Sequence, residues 1–106
     1  MAIDTTKIVQ EYKKHLKAKI GDQLSDVLLY GSRSRGSSEP FSDIDVLCVL
    51  HSPFDYARMI RETSEITSRL SLEYDVVLSR VFVSEQDYRT SSLPFMMNVR
   101  KEAMPV

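Results

Sequence analysis

The chain has 106 residues, room for one small domain spanning 1–106, and its 42% hydrophobic and 27% charged content excludes both a disordered and a membrane-embedded class. Fourteen basic side chains against fifteen acidic ones, for a net charge of -1, exclude a general polyanion-binding surface, so direct nucleic-acid binding is not expected. A single cysteine, Cys48, excludes an internal disulfide. The two histidines lie far apart, no run nears the ~20 apolar residues of a membrane helix, and Met1 to Thr6 has no basic-then-apolar pattern, so no membrane contact and a cytoplasmic location are expected.

In chain order, Ile8, Tyr12, Leu16 and Ile20 recur every fourth residue with lysines between them, which predicts an amphipathic helix from about Thr5 to Ile20, stopped by Gly21. Val27 to Tyr30 is a short apolar run closed by Gly31 and reads as a strand. Ser32 to Ser42, rich in Ser, Arg and Gly and containing Pro40, reads as a loop. Ile44 to Leu50 is β-branched and apolar, a second strand. Ser52-Pro53-Phe54-Asp55 then suggests a helix start with Ser52 as cap and Pro53 in the first turn. The stripe Tyr56, Met59, Ile60, Ile66 and Leu70 carries that helix to about Leu70. Tyr74 to Val83 is a third strand candidate, Ser84 with Asp87 another helix start, and Leu93 to Ala103 a last short helix. The order α-β-β-α-β-α predicts an α/β (α+β) layer structure, a small mixed sheet flanked by helices.

The chemistry concentrates between Leu29 and Val46. Side chains alternate on a strand, so Asp43 and Asp45 share one face, roughly 6.5–7 Å apart along it. Two such carboxylates repel and resist dehydration, and a strand reading Ile-Val-Leu-Cys-Val-Leu has no packing use for them. A hard divalent cation such as Mg²⁺, with oxygen ligands at ~2.1 Å, removes the conflict. The alternative is that the acids simply end the strand in solvent. Ahead of them, Gly31 permits a sharp turn and close backbone approach. Ser32 offers a hydroxyl and an amide to a phosphate oxygen, and the small residues Ser34, Gly36, Ser37 and Ser38 leave amides open as an anion nest. Arg33 and Arg35 add donors matched to phosphate, or are solvated loop charges. A strand, a Gly-Ser turn, a basic polar loop and an Asp-x-Asp strand in succession are hard to explain by packing alone.

Gly31-Ser32, ten residues, then Asp43-Ile44-Asp45 resembles the signature of the polymerase-β-type nucleotidyltransferases, and Arg35-Gly36 with Ser42 looks most like their minimal prokaryotic group. The loop has no Gly-Lys-Ser/Thr ending and so is not a P-loop. The resemblance implies the polymerase-β-like nucleotidyltransferase fold. It also implies a nucleotide site at Gly31, Ser32, Arg33, Arg35, Gly36 and Ser42, with two Mg²⁺ ions and ATP as substrate. It implies a third carboxylate on a neighbouring strand. Asp75, opening the run Val76-Val77-Leu78, is the candidate beside Asp43 and Asp45 for both catalysis and metal binding, with Glu73 as rival; the alternative is that Asp75 is only a strand-edge acid. Leu93-Pro94-Phe95 through Asn98-Val99-Arg100-Lys101-Glu102 looks like the group's closing helix, although Glu102-Ala103-Met104 stands where Glu-Gly is common.

The implied reaction transfers a nucleoside monophosphate from a triphosphate to a hydroxyl, with pyrophosphate leaving. Such minimal domains are often antitoxins that adenylylate a helical HEPN-type toxin, so AMP transfer to a protein partner is the expectation. The alternatives are a non-catalytic nucleotide- or partner-binding module, and transfer to a small molecule of aminoglycoside type. His51 has only a weak claim to the site, and the lysines of the first helix read as its wet face.

Overall fold

The structure is a computed structural model that describes residues 4–31 and 43–106. Helix α1 (Thr5–Ile20) follows the sequence expectation closely. Asp4 caps it by accepting from the Lys7 amide at 3.1 Å, and Gly21, at φ 59°, ends it where a β-carbon would be strained. Its stripe of Ile8, Val9, Tyr12, Leu16 and Ile20 is buried against the sheet, each large side chain contributing ~1.5–3 kcal/mol by leaving water.

A short 3₁₀ turn (Gly21–Gln23) leads into β1 (Leu24–Tyr30), which begins three residues before the apolar run because Leu24 is core and an irregularity lies between Leu24 and Asp26. Strand β2 (Ile44–Leu50) is buried at every position but Asp45. Helix α2 (Tyr56–Tyr74) is capped by Asp55, whose side chain accepts from the Arg58 amide, and not by Ser52 as the sequence suggested. Pro53 therefore precedes the helix, and Tyr56, expected in the core, is 45% exposed. The helix also runs four residues past Leu70. Strand β3 (Leu78–Ser84) follows, then α3 (Glu85–Thr90) with Ser84 as its cap, and α4 (Pro94–Glu102). A two-residue strand β4 (Met104–Pro105), unforeseen in the sequence, pairs with β1.

The sheet order is β3-β2-β1-β4, with β2 and β3 parallel and the other pairs antiparallel, the mixed sheet flanked by helices that the element order predicted. Ile44, Val46, Cys48 and Leu50 face α1 and α2, while Leu47 and Val49 face Met96 and Val99 of α4. Central β2 is thus covered on both sides, which is why it reads as a nearly unbroken apolar run. Under α2, Thr63 and Thr67 bond back to the Met59 and Thr63 carbonyls, both at 2.8 Å. With the Thr67 proton so committed, the Tyr12 hydroxyl donates to Thr67 Oγ1 at 2.7 Å. Arg80 of β3 donates to Thr63 Oγ1 at 2.8 Å and to the Ile60 carbonyl at 3.0 Å. These bonds tie α1, α2 and β3 together with no buried side-chain nitrogen or oxygen left unpaired among the described residues. No helix among those residues is long and apolar enough to cross a membrane.

Candidate functional site

The candidate site lies where β1 ends and β2 begins. Antiparallel pairing sets Tyr30, the last residue of β1, opposite Asp45, and parallel pairing sets Ser79 of β3 on the other side of Asp45. Strand alternation turns Asp45 to the face shared with Leu47 and Val49, the α4 side. Asp43 stands just outside the strand, exposed, while the following residue is held to the segment just ahead of β3 by the Ile44 amide donating to the Val77 carbonyl at 2.9 Å.

Gly31 explains how the turn and the acid coexist. Its φ is 78°, and a β-carbon there would sit 3.3 Å from Asp45 Cγ and closer still to Oδ2. Only glycine lets the main chain turn sharply and pass this close to a carboxylate. The acid is also in an uncomfortable place. Burial, and then the nearby Asp43 charge, push the Asp45 carboxyl above its ordinary range. Tyr30 is affected in turn: burial, and then Asp45, push its hydroxyl up to about 12. Both shifts come first from burial and second from neighbouring negative charge. The donor set fits a divalent cation, since two carboxylates carry the charge and the hard oxygens that one Mg²⁺ requires.

The expected placement of Asp75 must be corrected. Asp75 does not open the third strand but follows the last residue of α2 in the left-handed conformation, φ 53°, ψ 49°. Its amide donates to the Leu72 carbonyl at 3.4 Å, and the next amide, of Val76, donates to the Ser71 carbonyl at 3.0 Å. That is a helix-ending turn, and Asp is one of the few residues with a β-carbon that adopts it readily. Glu73 lies within α2. Among the described residues no three acidic, histidine or cysteine side chains gather as a metal-holding group. The structure brings Asp43 and Asp45 together with Gly31, and it sets Asp75 in a helix cap. Ser32, Arg33, Arg35, Gly36 and Ser42 lie outside the described residues.

Two neighbours of the acids escaped the sequence reading. Tyr30 meets Phe95 of α4 edge-on, ring centroids 5.8 Å apart, forming an aromatic wall beside Asp45, and Ser79 flanks it on β3. Tyr30 adjoins Gly31 in the sequence, a usable signal. Ser79 could be found only from the strand register. His51 lies past the far end of β2, paired with Glu85 at 3.2 Å, and takes no part.

Comparisons with known proteins bear on the family and the fold. The nucleotidyltransferase domain profile matches residues 9–100. Two proteins of Methanocaldococcus jannaschii, both provisionally named protein adenylyltransferases, are similar. One is 30% identical over 96 residues, covering 91% of this chain and 95% of the relative. The other is 31% identical over 97 residues, covering 91% of each. Among solved structures, one from a toxin–antitoxin complex described as MntA–HpeT superposes with TM-score 0.62 at 20% identity, covering 99% of this chain and 72% of that one. A second, of a toxin–antitoxin with AMP-PNP, gives 0.59 at 20% identity over 97% and 72%. A structure provisionally described as a minimal nucleotidyltransferase gives 0.60 at 19% identity over 98% and 97%. With the profile spanning all but the two ends, the chain belongs to the nucleotidyltransferase domain family.

Proposed function

We propose that the chain is a Mg²⁺-dependent nucleotidyltransferase that moves AMP from ATP to a hydroxyl of a helical HEPN-type protein, acting in the cytoplasm as the antitoxin of a toxin–antitoxin pair. The observation that carries the catalytic part is the Asp45 carboxylate held against the Gly31 backbone at the mouth of the sheet, with Asp43 next to it. The names of the two archaeal relatives support a protein acceptor, and the structural neighbours from toxin–antitoxin complexes support the partner class.

Asp43 and Asp45 would hold Mg²⁺, which when bound withdraws charge from phosphate oxygens and from an attacking hydroxyl. Gly31 brings the chain past Asp45 so that Ser32 can donate to the β- and γ-phosphates. Arg33 and Arg35 would balance the charge that builds on the triphosphate, and Gly36 and Ser42 would add small, polar residues to the nucleotide site. The acceptor oxygen bonds to the α-phosphorus as the bond to the bridging oxygen breaks. Pyrophosphate leaves with the electron pair, and the acceptor proton passes to water.

The test is incubation with Mg²⁺, ATP labelled at the α-phosphate, and a helical HEPN-type protein from the same genome. Label should appear on that protein with the wild-type chain and vanish with Asp45→Asn. Label reaching only a small-molecule acceptor, or none at all from a folded chain that binds ATP, rejects the protein-transfer reading.

A further inference from the structure

The register between β2 and β3 says which side chain stands beside the acids, and it is not a third acid. Ile44 pairs with Leu78, Asp45 with Ser79 and Val46 with Arg80. Neighbours in register on adjacent strands project to the same face with β-carbons about 5 Å apart. Asp45 and Ser79 therefore lie side by side on the α4 face, and Ser79 is half-buried there. One step outward, level with Asp43, stands Val77, which is 58% exposed and has no ligand atom on its side chain. Asp75 lies two residues further out still, and those residues are not in the strand, because the helix-ending turn interposes. Leu78 is tied back to that turn by its amide donating to Ser71 Oγ at 3.3 Å. The acid at 75 has its own structural reason in the left-handed turn, so its residue type calls for no metal.

Resting on the proposed metal-dependent transfer, we infer that the third position of this metal site is occupied by the neutral hydroxyl of Ser79, and that Asp75 does not belong to it. The charge follows. Asp43 and Asp45 carry two negative charges and balance one divalent cation. A second ion in the same place would add two positive charges against a hydroxyl, which compensates none of them. The resident site is therefore a single-ion site, and a second ion enters only with the negative charge of a bound triphosphate.

The experiment uses the whole chain without nucleotide. Mn²⁺ binding, followed by the electron paramagnetic resonance of the free ion, is measured for wild type, Asp45→Asn and Asp75→Asn. Cd²⁺ binding is measured calorimetrically for wild type and Ser79→Cys. Asn accepts the left-handed conformation at least as well as Asp, so Asp75→Asn keeps its turn. Cys is close to Ser in size and presents a soft sulfur that favours Cd²⁺. Cys48 is fully buried on the opposite face and does not compete.

Wild type should bind one Mn²⁺, Asp45→Asn should bind it at least tenfold more weakly, and Asp75→Asn should stay within twofold of wild type. Ser79→Cys should raise Cd²⁺ affinity at least tenfold. If Asp45→Asn binds Mn²⁺ like wild type, the metal-dependent reading itself fails. If Asp45→Asn loses the ion and Asp75→Asn loses it too, or folded Ser79→Cys gains no Cd²⁺ affinity, or wild type holds two ions, the Ser79 assignment is overturned and the metal reading stands. Should Ser79→Cys not fold, the Asp75→Asn result decides alone.

Discussion

Replacing Gly31 by alanine tests the close approach on which the site depends. The new β-carbon would meet the Asp45 carboxylate, 3.3 Å from Cγ and 3.4 Å from Cβ, with Oδ2 nearer than either. Carbon pairs are comfortable at ~3.5–4.0 Å, so the carboxylate has to rotate. Forcing it off its rotamer costs about 0.5–1.5 kcal/mol. The backbone adds a second penalty, because a positive φ at a residue with a β-carbon costs about 1–2 kcal/mol. Together these give about 1.5–3.5 kcal/mol, and at ~4–8 °C per kcal/mol for a domain of this size the melting temperature should fall by roughly 6–28 °C. The two contributions separate in a double-mutant cycle with Asp45→Ala, read by thermal or urea denaturation. In the Asp45→Ala background only the backbone penalty remains, so Gly31→Ala should cost about 1 kcal/mol less than in wild type. Equal costs in both backgrounds would mean that the carboxylate does not lie against Gly31, and the site as described would be wrong.

The raised carboxyl of Asp45 sets a pH dependence: the folded state holds that proton more tightly than the unfolded chain does, so stability should rise as pH falls through the folded value towards the ordinary one. Melting curves of Asp45→Asn should lack that rise, and the two proteins should converge at the acid end; parallel curves across the window would contradict it. Burial pushes the Cys48 thiol up to about 12, so a thiol reagent at pH 8 should label native protein only as fast as it opens, and label unfolded protein at once. Thr63→Val takes away the acceptor of Arg80 Nε, a charged donor whose guanidinium keeps the Ile60 carbonyl, and should cost about 1.5–3 kcal/mol in urea denaturation. Tyr12→Phe removes only the hydroxyl that donates to Thr67, for a cost nearer 1 kcal/mol, so a larger effect from Tyr12→Phe would reverse the order derived from the bonds.

Where local pattern decides, the chain was legible. The four-residue recurrence of Ile8, Tyr12, Leu16 and Ile20, bounded by Gly21, marked α1 to the residue. The β-branched run from Ile44 to Leu50 marked β2 with both ends right. The end of α2 was not legible, because Leu72-Glu73-Tyr74 continues a helix as readily as it opens a strand. The helix runs on until the Asp75 turn closes it, with the Tyr74 hydroxyl bonded to the Glu11 carboxylate of α1. The tail strand at Met104 and Pro105 was equally hidden, since two residues carry no period and only the open edge of β1 gives them a partner.

Sequence alone therefore determined the family signature, the central strand and the pairing of Asp43 with Asp45, because each depends on spacing within one short segment. Tertiary structure decided which residues surround those acids. Tyr30 and Ser79 reach Asp45 through antiparallel and parallel registers, and Asp75 is left in a helix cap, because a shift of a few residues in where β3 begins changes every neighbour of β2. Such a shift is set by how α2 packs and ends, which no local run of side chains encodes.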